Sequence, residues 1–440
     1  MWRARFAVLG TALSIACAGH AARTGLPATA PEAIGLSAPA LARITPALQA
    51  YVDSGKLPGV VAIVARHGRI GYAEAVGYTD VERRALMRMD AVFRIYSMTK
   101  PVVAAGVLRL VDQGRLALDD PVAKYIPAFA SVKVFAGGSA DDPLLREPDA
   151  PMTVRHLLTH TAGLGYGLGD APVDTLYQRA NLFVAARTLE QFADSIARLP
   201  LFFSPGSRWQ YSAAIDVAGR VIEVASGQPL DAFLEREIFA PLGMRSTSFR
   251  LRPDFVDRVP VLYSRGDDGR LREATGPLGE MYLPGARFFW GGGGLLSTPA
   301  DYLRFAQMLL NRGELEGRRV LSRESVAQML SNQLPAALAP ITSPQMLDKG
   351  YGYGLGGSVL VDCALAELPG SAGIYRWSGY VGTYFWIDPA EDLVAMVWTQ
   401  FTPGRTYQLE QEFQRLVYAA VAPAQCGKAA AAPSGYRQLP

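Results

Sequence analysis

Histidine and cysteine are scarce in this chain of 440 residues, which contains four histidines and three cysteines. No G-x-S-x-G sequence occurs. The histidines lie at position 20 near the amino terminus, at position 67 in a predicted hairpin turn, and at positions 156 and 160 in one predicted helix. A Ser-His-Asp triad of the α/β-hydrolase type is therefore disfavoured. If this chain activates a serine, its base must be a residue other than histidine.

The scarcity of metal-binding residues also argues against a cofactor. His156 and His160 stand four apart on a predicted helix, which is the spacing of some zinc sites, but Leu157 replaces the glutamate and no cysteine pair accompanies them. We interpret both histidines as satisfied by local hydrogen bonds. The run Gly291–Gly294 lacks the lysine, the preceding strand and the following helix of a phosphate-binding loop. The sequence predicts no metal and no other cofactor.

Charge is low and balanced. Charged residues make up 19% of the chain, and the formal net charge is +3. Such a balance does not favour nucleic acid or an anionic membrane as a partner. Beyond the amino terminus no stretch has the ~18 uninterrupted apolar residues of a transmembrane helix. The sequence does not predict the oligomeric state.

The first 22 residues have the pattern of a signal peptide. Arg3 and Arg5 precede an apolar stretch from Phe6 to Cys17, and small residues suited to cleavage follow. We expect the protein to be exported to the periplasm or secreted. A lipid anchor on Cys17 is the alternative, but the serine at position 14 departs from the usual lipobox leucine.

The remaining end segments are rich in small residues. Residues 23–38 contain many Ala, Pro and Thr residues and are expected to form a linker, and residues 426–440 are expected to form a flexible tail. If Cys17 leaves with the signal peptide, Cys363 and Cys426 remain. They either form a disulfide in an oxidising compartment or stay unpaired, and sequence cannot distinguish the two.

Between these segments, residues 39–425 are predicted to form one α/β (α+β) domain. Apolar residues alternate with a period of two at 57–77 and again at 350–400, which is typical of strands joined by short turns. Short connections make neighbouring strands antiparallel. Residues from about 80 to 300 have helical spacing with long Gly/Pro-rich loops. We therefore expect an antiparallel sheet flanked by helices, with a large helical lobe inserted between its two parts.

The stretch Tyr96-Ser97-Met98-Thr99-Lys100 combines a nucleophile with an amine. At the start of a helix, Ser97 and Lys100 lie on one face about a turn apart. Free N–H groups and the adjacent amine can activate the hydroxyl. Pro101 is compatible only with the first turn, and the following residues are almost all apolar, as in a buried helix. A capped helix with a chance lysine is the alternative, because S-x-x-K alone is a weak signal.

A candidate for the base is Tyr211, at a loop-to-helix junction in SPGSRWQYSAA. A cationic lysine favours ionisation of a neighbouring phenol, and the resulting phenolate can accept the Ser97 proton and later return it to the leaving group. The alternative is a buried tyrosine that only fills the core.

Several motifs in order resemble one known family. They are YSMTKPVVA around Ser97, LLTHTAGL at 157–164, SPGSRWQYSA around Tyr211, PLGM at 241–244, GGGGLLSTPADYLRF from Gly291, and WSGYVGTYFWIDP from Trp377. Together they resemble the serine β-lactamase and penicillin-binding superfamily, in particular its class C-like branch with the family VIII carboxylesterases. The resemblance covers nearly the whole mature chain and implies a β-lactamase-like fold.

The resemblance also implies roles for individual residues. Ser97 matches the acylated nucleophile, Lys100 the residue that shares or tunes its proton, and Tyr211 the general acid and base. The third motif of the family falls on Trp377-Ser378-Gly379, which would line the substrate site. The oxyanion hole would be the backbone N–H groups of Ser97 and Tyr380. Gly379 suits a strand that a substrate backbone must approach closely.

Two departures bear on the substrate. Trp377 stands where β-lactamases and peptidases of the family carry Lys or His, and Ala213 stands where they carry Asn. Arg376 does not replace the missing cation, because successive strand residues point to opposite faces. We therefore expect cleavage of neutral carboxylic esters through an acyl-enzyme. The alternatives are β-lactamase, DD-peptidase or D-aminopeptidase activity on amides, and a non-catalytic binding protein with the same fold.

Overall fold

The computed structural model describes residues 25–274, 279–282, 285–346 and 348–421. The predicted signal peptide, the tail and Cys426 lie outside the described residues. No helix in these four ranges is long and apolar enough to cross a membrane.

The centre of the fold is an antiparallel sheet of eight strands. In chain order they are β1 Gly59–Arg66, β2 Arg69–Asp80, β3 Ala85–Leu86, β4 Tyr351–Tyr353, β5 Ser358–Leu360, β6 Tyr375–Gly379, β7 Thr383–Asp388 and β8 Leu393–Trp398. Their spatial order is β4-β5-β6-β7-β8-β1-β2-β3. The first hairpin turns at His67 and Gly68, both with positive φ, as two-residue hairpins require. Strands from both ends of the domain thus share one sheet, as the sequence predicts.

Twelve α-helical segments surround this sheet in the described part of the chain. They are α1 Ala38–Leu41, α2 Ile44–Asp53, α3 Thr99–Asp112, α4 Val154–Leu158, α5 Pro172–Ala180, α6 Leu189–Ile196, α7 Ala214–Ser226, α8 Leu230–Leu234, α9 Ala240–Leu242, α10 Pro299–Leu310, α11 Arg323–Leu330 and α12 Leu409–Ala420. A π-helical turn at Glu235–Phe239 joins α8 to α9. Most of the residues between β3 and α10 form the inserted helical lobe.

Alternation along the strands sorts side chains into two cores. On β7, Tyr384 and Trp386 pack into the core beneath α1, α2 and α12, whereas Phe385 and Ile387 belong to the larger core shared with α3 and α10. Both faces of the central strands are therefore covered, which explains why β7 and β8 are apolar at nearly every position.

The segment expected to be a linker packs on the domain in its described part, residues 25–38. Leu26, Ile34 and Leu36 are buried, and Ala28 makes a parallel bridge to Ile70 beside the first hairpin. The prediction was based on the Ala/Pro-rich composition. It failed because three apolar side chains of this segment pack into the two cores: Leu26 into the larger core, and Ile34 and Leu36 into the core beneath α1, α2 and α12.

Helix α3 runs through the middle of the large core. Its residues from Thr99 to Leu108 are buried, and Pro101 lies in the first turn, where its missing N–H costs no hydrogen bond. Gly106 allows α8 to approach, since a Cβ there would lie 2.8 Å from Leu234 Cδ2. The start of this buried helix presents Ser97 at the border between the sheet and the helical lobe.

Candidate active site

Ser97 lies in a single 3-10 turn, Tyr96–Met98, directly before α3. Tyr96 has φ 42°, a left-handed conformation that is uncommon for a bulky residue. The surrounding structure holds this turn in place. Its preceding residue Ile95 donates its N–H to Leu295 O at 3.0 Å, and Thr99 Oγ1 accepts the N–H of Leu295 at 3.0 Å. A strained turn fixed from two sides fits a nucleophile that must keep one position.

The Ser97 hydroxyl lies between the two predicted partners. Lys100 Nζ donates to Ser97 Oγ at 3.2 Å, and the Tyr211 hydroxyl donates to the same oxygen at 2.7 Å. Lys100 Nζ also lies 4.6 Å from the centroid of the Tyr211 ring. Protons can therefore move among the three groups without a rearrangement of the chain. The structure brings together the three residues that the sequence singled out.

Lys100 is completely buried and is held by a loop that we had assigned no part in the site. Its Nζ donates to the carbonyl oxygen of Gly292 at 2.7 Å. The N–H of Gly292 donates to Asp216 Oδ1 at 2.9 Å, and a Cβ on Gly292 would lie 2.6 Å from Asp216 Oδ2. Glycine is needed here because the loop passes close to the carboxyl group.

Asp216, on helix α7, is the acidic group behind Lys100. It is fully buried. Burial raises the pKa of this carboxyl to about 7, against the opposing effects of the Lys100 charge and the Gly292 N–H bond. Sequence reasoning missed this residue. The one available signal was an acidic residue inside the apolar stretch AAIDVAGRVI, where an unpaired carboxylate is costly.

Strand β6 presents Trp377 to the site and Arg376 to the other face, as alternation predicts. The Trp377 ring lies 5.5 Å from that of Tyr211. Arg376 is buried and forms ion pairs with Glu410 of α12 and with Asp348. Burial raises the pKa of Asp348, but the charges of Arg376 and Arg405 outweigh it, and the net pKa lies below the usual range. Arg376 is thus neutralised within the protein and does not supply the missing cation at the Trp377 position.

Gly379 is required by the protein's own packing. A Cβ at this position would lie 2.4 Å from Ile95 O and 2.3 Å from Thr383 Oγ1. The close neighbour is therefore the turn before Ser97, and not only a substrate as the sequence interpretation assumed. This contact sets the distance between β6 and the nucleophile.

Ser97 opens into a cavity of about 320 Å³. Its lining includes Tyr211, Trp377, Ser378, Gly379 and Tyr380. Arg376, Arg405 and Asp348 also border this cavity, and their charges are paired with one another and with Glu410. The two residues expected to supply the oxyanion hole, Ser97 and Tyr380, thus face one cavity, although their role stays a prediction. Tyr380 is 55% exposed at the rim, and the centroid of its ring lies 6.1 Å from that of Tyr96.

The two histidines considered as metal ligands have other partners. His156 Nδ1 accepts the N–H of Thr153 at 3.2 Å and completes a capping box at the start of α4. His160 Nδ1 accepts the N–H of Ser212 at 3.3 Å. The Nδ1 atoms of both histidines thus bind the local backbone. His160 Nε2, however, is buried and has no hydrogen-bond partner in the described residues, so the hydrogen-bonded interpretation holds for His160 only at Nδ1. Within the run Gly291–Gly294, the carbonyl oxygen of Gly292 binds Lys100, as described above.

A serine between a buried lysine and a tyrosine, at the border of an antiparallel sheet and a helical lobe, defines a serine hydrolase of the S-x-x-K type. The family model described as Beta-lactamase matches residues 44–419. The chain belongs to this family, and the resemblance inferred from the motifs is confirmed.

Curated relatives extend along most of the chain. Protein Rv1367c of Mycobacterium tuberculosis is 35% identical over 360 residues, which cover 80% of this chain and 88% of that protein. Esterase EstB of Burkholderia gladioli is 36% identical over 392 residues, which cover 84% of this chain and 93% of that protein.

Among solved structures, EstCE1, described as a hydrolase with promiscuous acyltransferase activity, superimposes with a TM-score of 0.74 at 29% identity. The match covers 86% of this chain and 99% of that one. The predicted β-lactamase-like fold and the assignment as a serine hydrolase enzyme are therefore confirmed.

Proposed function

We propose that this serine hydrolase cleaves carboxylic esters through an acyl-enzyme on Ser97. The observation that carries the proposal is the position of Ser97 Oγ, 2.7 Å from the Tyr211 hydroxyl and 3.2 Å from Lys100 Nζ. This arrangement activates a hydroxyl for attack on a carbonyl, and a protein that only binds its ligand has no need of it.

The reaction requires that the Tyr211–Lys100 pair has first released one proton, because both groups donate to Ser97 Oγ in the structure. In the first half of the reaction, Ser97 Oγ then attacks the ester carbonyl carbon while its proton passes to the vacant position on this pair. The carbonyl oxygen takes up the negative charge and faces the backbone N–H groups of Ser97 and Tyr380. The bond to the alcohol oxygen then breaks, and the same pair returns the proton to that oxygen. In the second half, water loses a proton to the pair, attacks the acyl carbon and releases the acid, and Ser97 regains its proton.

We expect neutral esters to be preferred over anionic amide substrates because of the residues that line the cavity. Trp377 presents an aromatic ring where a cation would bind a substrate carboxylate, and Ala213 is buried and has no side-chain amide. The nearby cation Arg405 is paired with Asp348 at 3.1 Å and with Glu410 at 3.2 Å. The relative EstB supports this substrate class, since it is named an esterase and the match covers 93% of its length. We further propose that the enzyme acts after export.

The test compares turnover of p-nitrophenyl butyrate and nitrocefin by the purified protein, with Ser97→Ala as control. We expect rapid ester cleavage, little nitrocefin cleavage, and a loss of at least about 10³-fold in kcat for the variant. A folded Ser97→Ala protein with unchanged ester turnover would refute the proposed nucleophile. Preferential nitrocefin cleavage would instead assign the enzyme to amide chemistry.

Acyl transfer to an alcohol is a second candidate, because it uses the same acyl-enzyme and because EstCE1 is described with this promiscuous activity. A primary alcohol added to the ester assay should then increase p-nitrophenol release and yield the new ester. An unchanged rate with the free acid as sole product would restrict the enzyme to hydrolysis.

A further inference from the structure

His160 is a fully buried residue in direct contact with Tyr211. The centroids of the two rings lie 4.8 Å apart. The other faces of the imidazole are enclosed by aromatic rings as well, with Tyr353 at 5.3 Å and Trp209 at 6.2 Å. The imidazole therefore has little room to move, and neither does the tyrosine ring packed against it.

His160 also binds the backbone on both sides of Tyr211. Its carbonyl oxygen accepts the N–H of Gln210 at 2.9 Å. Its Nδ1 accepts the N–H of Ser212 at 3.3 Å, and the Ser212 hydroxyl lies 3.2 Å from the same nitrogen. One residue thus contacts three consecutive residues, of which the middle one carries the phenol beside Ser97.

This arrangement needs a neutral imidazole, because a protonated Nδ1 cannot accept the Ser212 N–H. Burial lowers the pKa of His160 well below its usual range, and the positive charge of Lys100 lowers it further. With Nδ1 as the acceptor, the proton of the neutral ring lies on Nε2. His160 is therefore an uncharged support, and the geometry gives it no contact with Ser97 in the described structure.

The backbone of His160 is itself unusual, with φ 56° in the left-handed region. Asparagine tolerates this region better than most residues. Its Oδ1 occupies nearly the place of a histidine Nδ1 and can accept the same N–H. His160→Asn is therefore a conservative variant that keeps the backbone conformation and the acceptor but loses part of the ring packing.

We propose that His160 is a positioning residue that fixes the Tyr211 hydroxyl within proton-transfer distance of Ser97. The inference rests on the role proposed above for Tyr211. Among the residues that His160 contacts, Tyr211 is the one that lines the described cavity. Loss of His160 should therefore lower kcat and leave KM nearly unchanged.

The experiment measures kcat and KM for p-nitrophenyl butyrate in His160→Ala, His160→Asn, Tyr211→Phe and the double variant His160→Ala/Tyr211→Phe. We expect a loss of about 10²-fold in kcat for His160→Ala, with KM within about threefold. The Asn variant should recover most of this loss. In the Tyr211→Phe background, His160→Ala should lower kcat by less than about threefold, because its effect acts through the phenol.

His156→Ala is the matched control for His160→Ala, because His156 also accepts a backbone N–H through Nδ1. It should change the unfolding midpoint but leave kcat within about twofold. If His160→Ala does not fold, the comparison of His160→Asn with His160→Gln replaces it. Glutamine has no acceptor at the Nδ1 position and should be the slower enzyme.

Three outcomes would separate the possible errors. Unchanged kcat in folded His160→Ala, with Tyr211→Phe inactive, would overturn the role of His160 alone. Equal losses from His160→Ala in the wild-type and Tyr211→Phe backgrounds would also overturn it, because the effect would then be a general one on the fold. Full activity in Tyr211→Phe would overturn the proposed function of Tyr211 itself.

Discussion

Replacement of Asp216 by asparagine should change how the stability of the protein depends on pH. The carboxyl is fully buried, and burial raises its pKa to about 7. In the unfolded chain the pKa of an aspartate is about 3.9. Between these two values the folded protein holds a proton that the unfolded chain has released, so the free energy of unfolding falls as pH rises from about 4 to about 7. Above that range the loss stays constant.

The magnitude follows from the two pKa values. A difference of about 3 pKa units, at 1.36 kcal/mol per unit, corresponds to about 4 kcal/mol. Asparagine has nearly the same shape and keeps an oxygen for the Gly292 N–H, which lies 2.9 Å from Oδ1 in the native protein. The variant should therefore gain up to about 4 kcal/mol relative to wild type between pH 4 and pH 8.

The assay is urea unfolding of both proteins at several pH values across this range. Asp301→Asn is the matched control, because burial raises the pKa of Asp301 to about 6 and its stability difference should reach a plateau at lower pH. A stability difference between Asp216→Asn and wild type that does not vary with pH would refute the reasoning. It would mean that Asp216 is already ionised at low pH through its proximity to Lys100.

Two other substitutions test the packing around the site. Gly379→Ala should lower kcat at least about tenfold and the free energy of unfolding by about 1–3 kcal/mol, since the new Cβ would lie 2.4 Å from Ile95 O. Gly279→Ala is the control in the same assays, because Gly279 has open space around its Cβ position. Equal effects of the two substitutions would contradict the reasoning. Arg376→Met should cost up to about 3 kcal/mol in urea unfolding, because buried Glu410 keeps only Arg405, at 3.2 Å, as a partner. Arg376→Met/Glu410→Leu should restore most of this loss, and a single variant as stable as wild type would show that the Arg376–Glu410 pair contributes nothing.

Local patterns were sufficient to predict much of this protein. The S-x-x-K spacing and Pro101 identified the buried helix and its two reactive side chains. Alternation along β6 predicted that Trp377 and Arg376 face opposite sides of the sheet. The turn at His67 and Gly68 located the first hairpin. In each case the information lies within a few consecutive residues, where helix and strand geometry determines direction.

The missed features depend on contacts between distant segments. Asp216 matters because helix α7 meets the loop at Gly292, and His160 matters because its loop meets the backbone around Tyr211. These tertiary contacts cannot be predicted from the spacing of residues in the sequence. The segment 25–38 was misjudged for a related reason, since its composition resembles a linker while Leu26, Ile34 and Leu36 find a core formed by residues far along the chain.

The pairing of β1 with β8 constrains the order in which the protein can assemble during its synthesis. A ribosome releases the chain from its amino end, so the β1–β2 hairpin and the helical lobe are complete before Val61 can pair with Trp398. Until then β1 exposes one edge of unpaired backbone groups together with the apolar side chains that later fill both cores. The nascent protein therefore passes through a long stage in which aggregation competes with folding, and a chaperone that covers strand edges should raise its yield.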